Sequence, residues 1–422
     1  MTTTPEAPNG APSPEPSAPR SAAVRTPPPP PPGKRPTLFN GSTRLGFIGD
    51  LTLRHPWELP LLAVAVVVSL AAYLLWIVAT VFLIYLLVTG QWNSVMGPMQ
   101  GAGEDPTSSL SPYSTLFQAF VIVGAVPWAI WILRALMYAR LRATAVRMTP
   151  TQFPEGYRMV AEAAAKFGMR RVPDAYVVSG SGVINAFAAG HGFRRFVAVH
   201  SDLFEVGGQV RDPDALRFVI AHEVGHHAAG HVGYLRLVFT NLFMQIPVLG
   251  SALSRAQEYS ADNYGYAYAP EGAPGTIALL SAGKYLNAHV NVQEFADRAA
   301  TERGLWLHLV NLGASHPITT WRAHALRDRT RSGRLWLRPK TRVFEAFLPA
   351  GSSWSGRYPT PEEALDLLNK AYDDGFHLNE EQFGRFPFGQ SYPPPANMRE
   401  LQVKAPNVLS EDPVVSRKPS RS

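Results

Sequence analysis

Residues 212–229 read Asp-Pro-Asp-Ala-Leu-Arg-Phe-Val-Ile-Ala-His-Glu-Val-Gly-His-His-Ala-Ala, and this stretch decides the fold. Asp212 suits the N-cap position and Pro213 suits the first helical position, so the sequence predicts that a helix starts here. From Leu216 to Ala229 the helix is largely apolar. Such a helix is expected to be buried, and any polar side chain within it then needs a partner.

This helix carries His-Glu-Val-Gly-His at 222–226. On a helix, His222 and His226 lie one turn apart on the same face, with the Glu223 carboxylate between them. The spacing is typical of two zinc ligands and a general base. The alternative is a helix with solvated surface histidines, but the apolar surroundings favour a metal, because a metal would remove the cost of burying unpaired imidazoles.

A third ligand is predicted in the segment Glu-Tyr-Ser-Ala-Asp at 258–262. Glu258 and Asp262 share a helix face, so we predict Glu258 as the ligand and Asp262 as the residue that hydrogen-bonds a ligand imidazole and fixes its tautomer. His231 would lie about 140° around the first helix from His226, and His227 about 100°. Both are therefore predicted to be polar residues beside the site. The chain has no cysteine, so one zinc ion per subunit would use histidine and carboxylate ligands.

Two charge-free apolar runs precede the motif. Leu61–Val88 is longer than the ~20 residues that cross a bilayer, and Leu116–Leu133 is a second candidate with Pro127 inside it. These runs predict a transmembrane helical hairpin over 57–138. A buried hairpin of a soluble protein is the alternative, and it is weaker for the first run than for the second.

The placement of basic residues predicts the orientation of the hairpin. Arginine and lysine stand before the first run and after the second, whereas the segment between them has only the acidic residues Glu104 and Asp105. The positive-inside rule puts both ends in the cytoplasm. We therefore predict a multi-pass protein of the inner membrane with everything after about residue 134 in the cytoplasm. The net charge is +7, but no basic stripe with interleaved aromatics predicts a nucleic-acid partner.

The chain divides into five predicted parts: a disordered proline-rich cytoplasmic tail (1–56), the hairpin (57–138), the domain with the metal site (139–335), an accessory helical region (336–398) and a disordered tail (399–422). Inside the domain we expect a helix at 153–168, short strands at 175–178, 183–188 and 195–200, and helices near 275–289, 293–312 and 318–330. Another helix is expected at 361–374. The run 237–253 is predicted to touch the inner membrane surface as an amphipathic or re-entrant segment, or else to be a helix buried in the domain.

Four segments together resemble the integral-membrane zinc metallopeptidases that include the heat-shock protease HtpX and the CAAX prenyl endopeptidases. They are Asn-Ala-Phe-Ala-Ala-Gly at 185–190, the motif at 222–226, the segment at 258–262, and Ser-His-Pro at 315–317 followed by Arg322. The resemblance covers about residues 115–330. It implies an α+β, mainly α fold in which the membrane hairpin precedes a zincin (gluzincin-like) peptidase domain with a small sheet.

The resemblance also implies roles for further residues. Asn185, Ala186, Phe187 and Ala188 would form an edge strand beside the cleft that pairs with an extended peptide substrate. His316 and Arg322 would lie near the metal, with a helix cap and a surface charge as the alternative. Our hypothesis is that one or the other stabilises the developing oxyanion. One departure is clear: HtpX-like proteins commonly carry two further membrane crossings before the third ligand, where this chain has the single interrupted run 237–253.

The predicted function is a membrane-anchored zinc endopeptidase that cleaves polypeptides, including membrane proteins, at the cytoplasmic face in quality control. One alternative is a processing peptidase for a specific or lipidated peptide. Another is a non-catalytic membrane scaffold with structural zinc, which would need a fourth protein ligand.

Overall fold

The computed structural model describes residues 53–92, 112–180, 182, 184–191, 194–204, 212–287, 290–329, 331–340 and 360–373. Its helices are α1 Glu58–Val88, α2 Pro112–Thr144, α3 Pro154–Lys166, α4 Pro213–Ala228, α5 Tyr234–Met244, α6 Leu249–Tyr268, α7 Gly272–Leu286, α8 Val292–Thr301, α9 Leu305–Gly313, α10 Thr319–Arg327 and α11 Pro361–Asp373. Its strands are β1 Val146–Arg147, β2 Asp174–Val178, β3 Ala186–His191 and β4 Arg194–His200. The prediction of a mainly helical fold with a small sheet is confirmed. Residues 1–52, the tail 399–422 and most of 336–398 lie outside the described residues. The prediction of a disordered tail over 1–56 was wrong at its end, because Leu53, Arg54 and His55 are buried against the domain.

Two helices, Glu58–Val88 and the Phe117–Thr144 part of α2, are long and apolar enough to cross a membrane. Little of their most apolar stretches is buried in the protein, and Leu75 and Val88 expose 70% and 81% of their surface. A soluble core helix would bury such side chains, so this surface suits lipid. The first turns of α1 pack against the rest of the protein, through the buried residues Glu58, Leu61, Ala65 and Ser69.

The sheet has the strand order β1-β2-β4-β3, which leaves β3 at one edge. β2 and β4 are parallel, and the other neighbouring pairs are antiparallel. The strand predicted at 183–188 was wrong in its bounds, because the observed strand β3 runs from Ala186 to His191. The strand continues past Ala188, and Gly190 pairs with Arg195 in the ladder. The short connection to β4 fixes this register, which a glycine signal alone does not reveal.

Helix α4 is buried on nearly all sides, as its apolar sequence predicts. The Asp212 side chain caps it by accepting a hydrogen bond from the Ala215 N–H at 2.9 Å. One face contributes Leu216, Ile220 and Val224 to the core formed with α3 and the sheet. Helices α6 and α7 cover other sides. The position of the motif within the domain is thereby fixed by packing.

The interrupted run 237–253 forms the end of α5 and the start of α6. The chain turns at Val248, which has a φ of 68°. Helix α5 packs beside the candidate membrane helices: the Tyr73 hydroxyl donates to the Val238 carbonyl at 3.4 Å, and the Tyr234 hydroxyl donates to the Pro127 carbonyl at 3.0 Å. The segment is therefore helical on both sides of a turn, and its contact with the membrane surface stays a prediction.

The single helix predicted at 293–312 is two helices, α8 and α9. They separate at Gly304, whose φ of 136° only glycine adopts readily. The other predicted helices occur with shifted ends, at Gly272–Leu286, Thr319–Arg327 and Pro361–Asp373.

We predict that Gly225→Ala destabilises the domain by about 1–3 kcal/mol, because overpacking has this typical cost. A Cβ at Gly225 would lie 2.5 Å from the Cβ of Tyr264, so α4 and α6 could not keep their close approach. The measurement is denaturant unfolding of the purified protein in detergent. Gly313→Ala is the control, since a Cβ there meets no atom within 4 Å. Equal stabilities of the two variants would contradict this account of the packing.

Candidate metal centre

Three buried or nearly buried side chains converge where α4 and α6 cross. The His222 Nε2 and His226 Nε2 atoms are 3.2 Å apart. Glu258 places Oε2 3.4 Å from His222 Nε2 and Oε1 3.6 Å from His226 Nε2. Tetrahedral ligands with bonds of about 2.0–2.1 Å lie about 3.3–3.4 Å from one another. The three side chains therefore have the donor set and the mutual spacing that a zinc ion requires, and they form the one such group found among the described residues.

The charges in this group also suit a cation. Burial lowers the pKa of His222, but hydrogen bonds with Asp262 and Glu258 outweigh burial and raise it to about 9. Burial holds the pKa of His226 well below its usual value. Burial would raise the pKa of Glu258, yet the two imidazoles keep it below its usual range. The group thus favours a positive charge between its members, and a divalent ion can take the place of the proton.

The imidazole of His222 is oriented by Asp262. Its Nδ1 lies 2.9 Å from Asp262 Oδ1, so Nδ1–H can donate while Nε2 keeps its lone pair for a ligand. Arg322 in turn donates to both oxygens of Asp262, at 2.7 Å from Nε and 2.5 Å from Nη2. The structure therefore brings Asp262 to the ligand as the sequence predicted, and it engages Arg322 behind that carboxylate.

Glu223 lies beside the ligands and is buried. Burial raises the pKa of Glu223 to about 7, because the effect of burial outweighs the lowering effect of the His222 charge. A backbone hydrogen bond from Ala188 of β3 also lowers it. The carboxyl group is therefore held between the His222–His226–Glu258 group and the edge strand.

His227 and His231 are not members of the ligand group. His227 Nε2 donates to the Phe196 carbonyl at 2.9 Å, which ties α4 to β4, and burial lowers its pKa to about 4. His231 Nδ1 lies 2.8 Å from His226 Nδ1. The other nitrogen of His231 contacts Glu58, a residue that sequence reasoning missed. The available signal was a lone carboxylate, flanked by Arg54, at the start of an apolar helix.

A cavity of about 380 Å³ opens onto the centre. Asn185–Ala188 line one side, and Glu223, Glu258 and His316 line it elsewhere. His316 is 65% exposed at its side chain, and its Nε2 lies 3.5 Å from Glu258 Oε1. The structure thus brings His316 to the rim of the cavity, whereas Arg322 contributes to a wall and is held by Asp262.

The backbone of β3 presents alternate residues to this cavity. The His200 N–H donates to the Asn185 carbonyl at 3.0 Å, so Asn185 and His200 form a hydrogen-bonded pair. In an antiparallel ladder such pairs alternate, which turns the N–H and C=O groups of Ala186, Ala188 and Gly190 away from β4. The hydrogen bond from Ala188 to Glu223 agrees with this orientation.

We expect Glu258→Ala to lose tight zinc binding, because the variant keeps two of three ligands. The loss should exceed the ~10–100-fold that follows removal of an outer partner. Competition with a chromophoric chelator measures the zinc Kd of the purified protein. Gln257→Ala is the matched control, since Gln257 lines the same cavity on the same helix. Equal zinc affinity of the Glu258 variant and the control would rule out Glu258 as a ligand.

The comparisons with known proteins agree with this geometry. No curated protein and no solved structure matches the chain. The model of Peptidase family M48 matches residues 150–238 and 234–330, which contain α4, the segment 258–262 and His316. This is the family of zinc metallopeptidases that contains HtpX and the CAAX prenyl endopeptidases. The region from 150 to 330 that forms the candidate metal centre therefore matches Peptidase family M48, the family to which the sequence motifs show resemblance.

Proposed function

We propose that this chain is a membrane-anchored zinc endopeptidase that hydrolyses extended polypeptide segments at the cytoplasmic face of the inner membrane. The observation that carries the proposal is the cluster of His222, His226 and Glu258 with Glu223 beside it, at a cavity bordered by the open edge of β3. Among the described residues this cluster offers three ligands, and a catalytic zinc site has three where a structural site has four.

Glu223 is the proposed general base and acid. When bound by His222, His226 and Glu258, zinc would polarise the scissile carbonyl and lower the pKa of a water molecule to about 7. Glu223 takes the proton from the attacking water and then gives it to the leaving amine. Its place beside the three proposed ligands and the edge of β3 suits both steps.

His316 is the better candidate for stabilising the oxyanion. It is exposed at the rim of the cavity and is 3.5 Å from Glu258. Arg322 already donates two hydrogen bonds to Asp262, which suggests that it positions His222 through that carboxylate. We therefore assign His316 to contact with the substrate and Arg322 to support of a ligand.

The edge of β3 is the proposed binding site for the substrate backbone. A peptide that lies along Asn185–Ala188 would meet the outward backbone groups of Ala186 and Ala188 next to Glu223. At Gly190 the Arg134 side chain approaches, so the open part of the edge is short. Such pairing recognises an extended backbone more than a particular sequence. Broad recognition of this kind suits quality control of damaged membrane proteins.

The site lies close to the proposed membrane surface. Glu58, the first residue of α1, is linked to His226 through His231. The charge-free run starts at Leu61, about 5 Å further along the helix axis. Substrates would therefore be cut within a few helical turns of the lipid. This proximity favours membrane proteins over a soluble peptide as the source of the cleaved segment.

Replacing Glu223 with Gln should preserve zinc binding and abolish turnover, since the amide cannot accept the proton. We expect a loss of at least ~10²-fold in kcat, the low end for a positioned base. The measurement is cleavage of casein and of a reconstituted, partly unfolded membrane protein, together with zinc content. Wild-type protein stripped by a chelator should be inactive and should recover with zinc. An active Glu223→Gln variant would remove the assignment of the base.

The orientation can be tested by single-cysteine labelling, because the chain has no cysteine of its own. A Ser108→Cys thiol, between the two apolar helices, should react with a membrane-impermeant maleimide added to intact spheroplasts. A Glu155→Cys thiol at the exposed start of α3 should react only after permeabilisation. The reverse pattern would place the peptidase domain outside the cytoplasm.

A further inference from the structure

A series of contacts at hydrogen-bonding distance connects the candidate metal centre to the first membrane helix, α1. His226 Nδ1 lies 2.8 Å from His231 Nδ1, and His231 Nε2 lies 3.1 Å from Glu58 Oε1. His231 and Glu58 are buried. These three residues come from the motif helix, from the turn that follows it, and from the N-terminus of α1.

The positions of the ring protons give the hydrogen bonds from His226 to Glu58 a single direction. If His226 binds a metal through Nε2, its Nδ1 must carry the proton, as in any neutral imidazole ligand. That N–H can donate only to an unprotonated Nδ1 of His231. His231 then carries its own proton on Nε2 and donates it to the Glu58 carboxylate. The tautomer of His226 therefore determines that of His231, and the Glu58 carboxylate is the final acceptor.

Glu58 is itself held in place by several donors. Arg236 Nη2 donates to its Oε1 at 2.8 Å, and Arg54 forms an ion pair with the same oxygen. The Ser260 hydroxyl donates to Oε2 at 2.5 Å. Ser260 lies between Glu258 and Asp262 on α6, so Glu58 also contacts the helix that supplies the third ligand. Two arginines balance the carboxylate charge, which lets it remain ionised while buried.

The backbone around this cluster adds a second connection. Arg54 Nη2 donates to the carbonyl of Ala229, the residue that ends α4, at 2.5 Å. The His55 N–H donates to the Ser260 hydroxyl at 2.8 Å. The segment 54–58 is therefore bound both to the end of the motif helix and to α6.

We propose, on the basis of the metal site in the proposed function, that His231 and Glu58 are positioning residues for the ligand His226. The N-terminus of the first membrane helix thereby forms part of the metal centre. Asp262 performs this task for His222, and the His231–Glu58 pair performs it for His226. Outer partners of this kind typically contribute 10–100-fold to metal affinity.

The test is the zinc Kd of the full-length, metal-stripped protein in detergent, measured by chelator competition. His231→Phe keeps a ring but removes both nitrogens, and Glu58→Ala removes the terminal acceptor. Each should weaken zinc binding by ~10–100-fold. The double variant should lose no more than the larger single loss, because both changes break one series. His231→Gln can still accept and donate, so it should recover most of the affinity.

Asn263→Ala is the matched control. Asn263 donates to the Leu53 carbonyl at 2.8 Å, so this variant loosens the same N-terminal segment from α6 without touching a ligand partner. It should lower stability and leave the zinc Kd unchanged. If Glu58→Ala does not fold, Glu58→Gln, which keeps an acceptor but loses the charge, should show a smaller loss in the same direction.

The two proposals fail in distinguishable ways. A wild-type protein that binds no zinc removes the proposed function and this inference together. A wild-type protein that binds zinc, with variants at His231 and Glu58 that bind it as tightly, overturns the positioning role and leaves the peptidase intact. Losses that add in the double variant, or that Asn263→Ala reproduces, also overturn it, because they indicate a general loosening of the fold.

Discussion

The mutual approach of His222, His226 and Glu258 is the constraint on which the rest of the structure depends. Three groups that prefer water are held together in the interior, with their ligand atoms about as far apart as the corners of a zinc tetrahedron. Without a cation this arrangement is costly, since buried polar groups need partners. The helices, the sheet edge and the start of α1 can be understood as the support that holds the three in place.

Two contacts show how that support is built. Gly225, between the two ligand histidines, lets α4 approach Tyr264 of α6 so closely that no side chain fits between them. The same crossing places Asp262 behind His222, where Arg322 fixes it with two hydrogen bonds. Close packing sets the distance between the helices, and charged pairs set the rotation of the rings. Each would be ineffective alone, because a ligand must have the correct position and the correct free nitrogen.

Much of the centre could be predicted because its signals are local in the sequence. A four-residue spacing puts His222 with His226, and Glu258 with Asp262, whatever the rest of the fold does. Glu58 gave no such signal: it lies far from the motif in sequence, and only the tertiary arrangement brings it to His231. The bounds of β3 were missed for a related reason, since its pairing with β4 continues past Ala188 to His191. At Gly304 the difference is of another kind, because this glycine separates α8 from α9 where the sequence predicted one continuous helix.

The first turns of α1 have a consequence for the domain itself. Leu61 and Ala65 are buried against Phe243, Ala252 and Leu253, so part of the anchor is also part of the domain core. A fragment cut away from its anchor would lose that core contact and expose apolar surface to water. The first turns of α1 therefore belong to the fold of the domain as well as to the apolar helix.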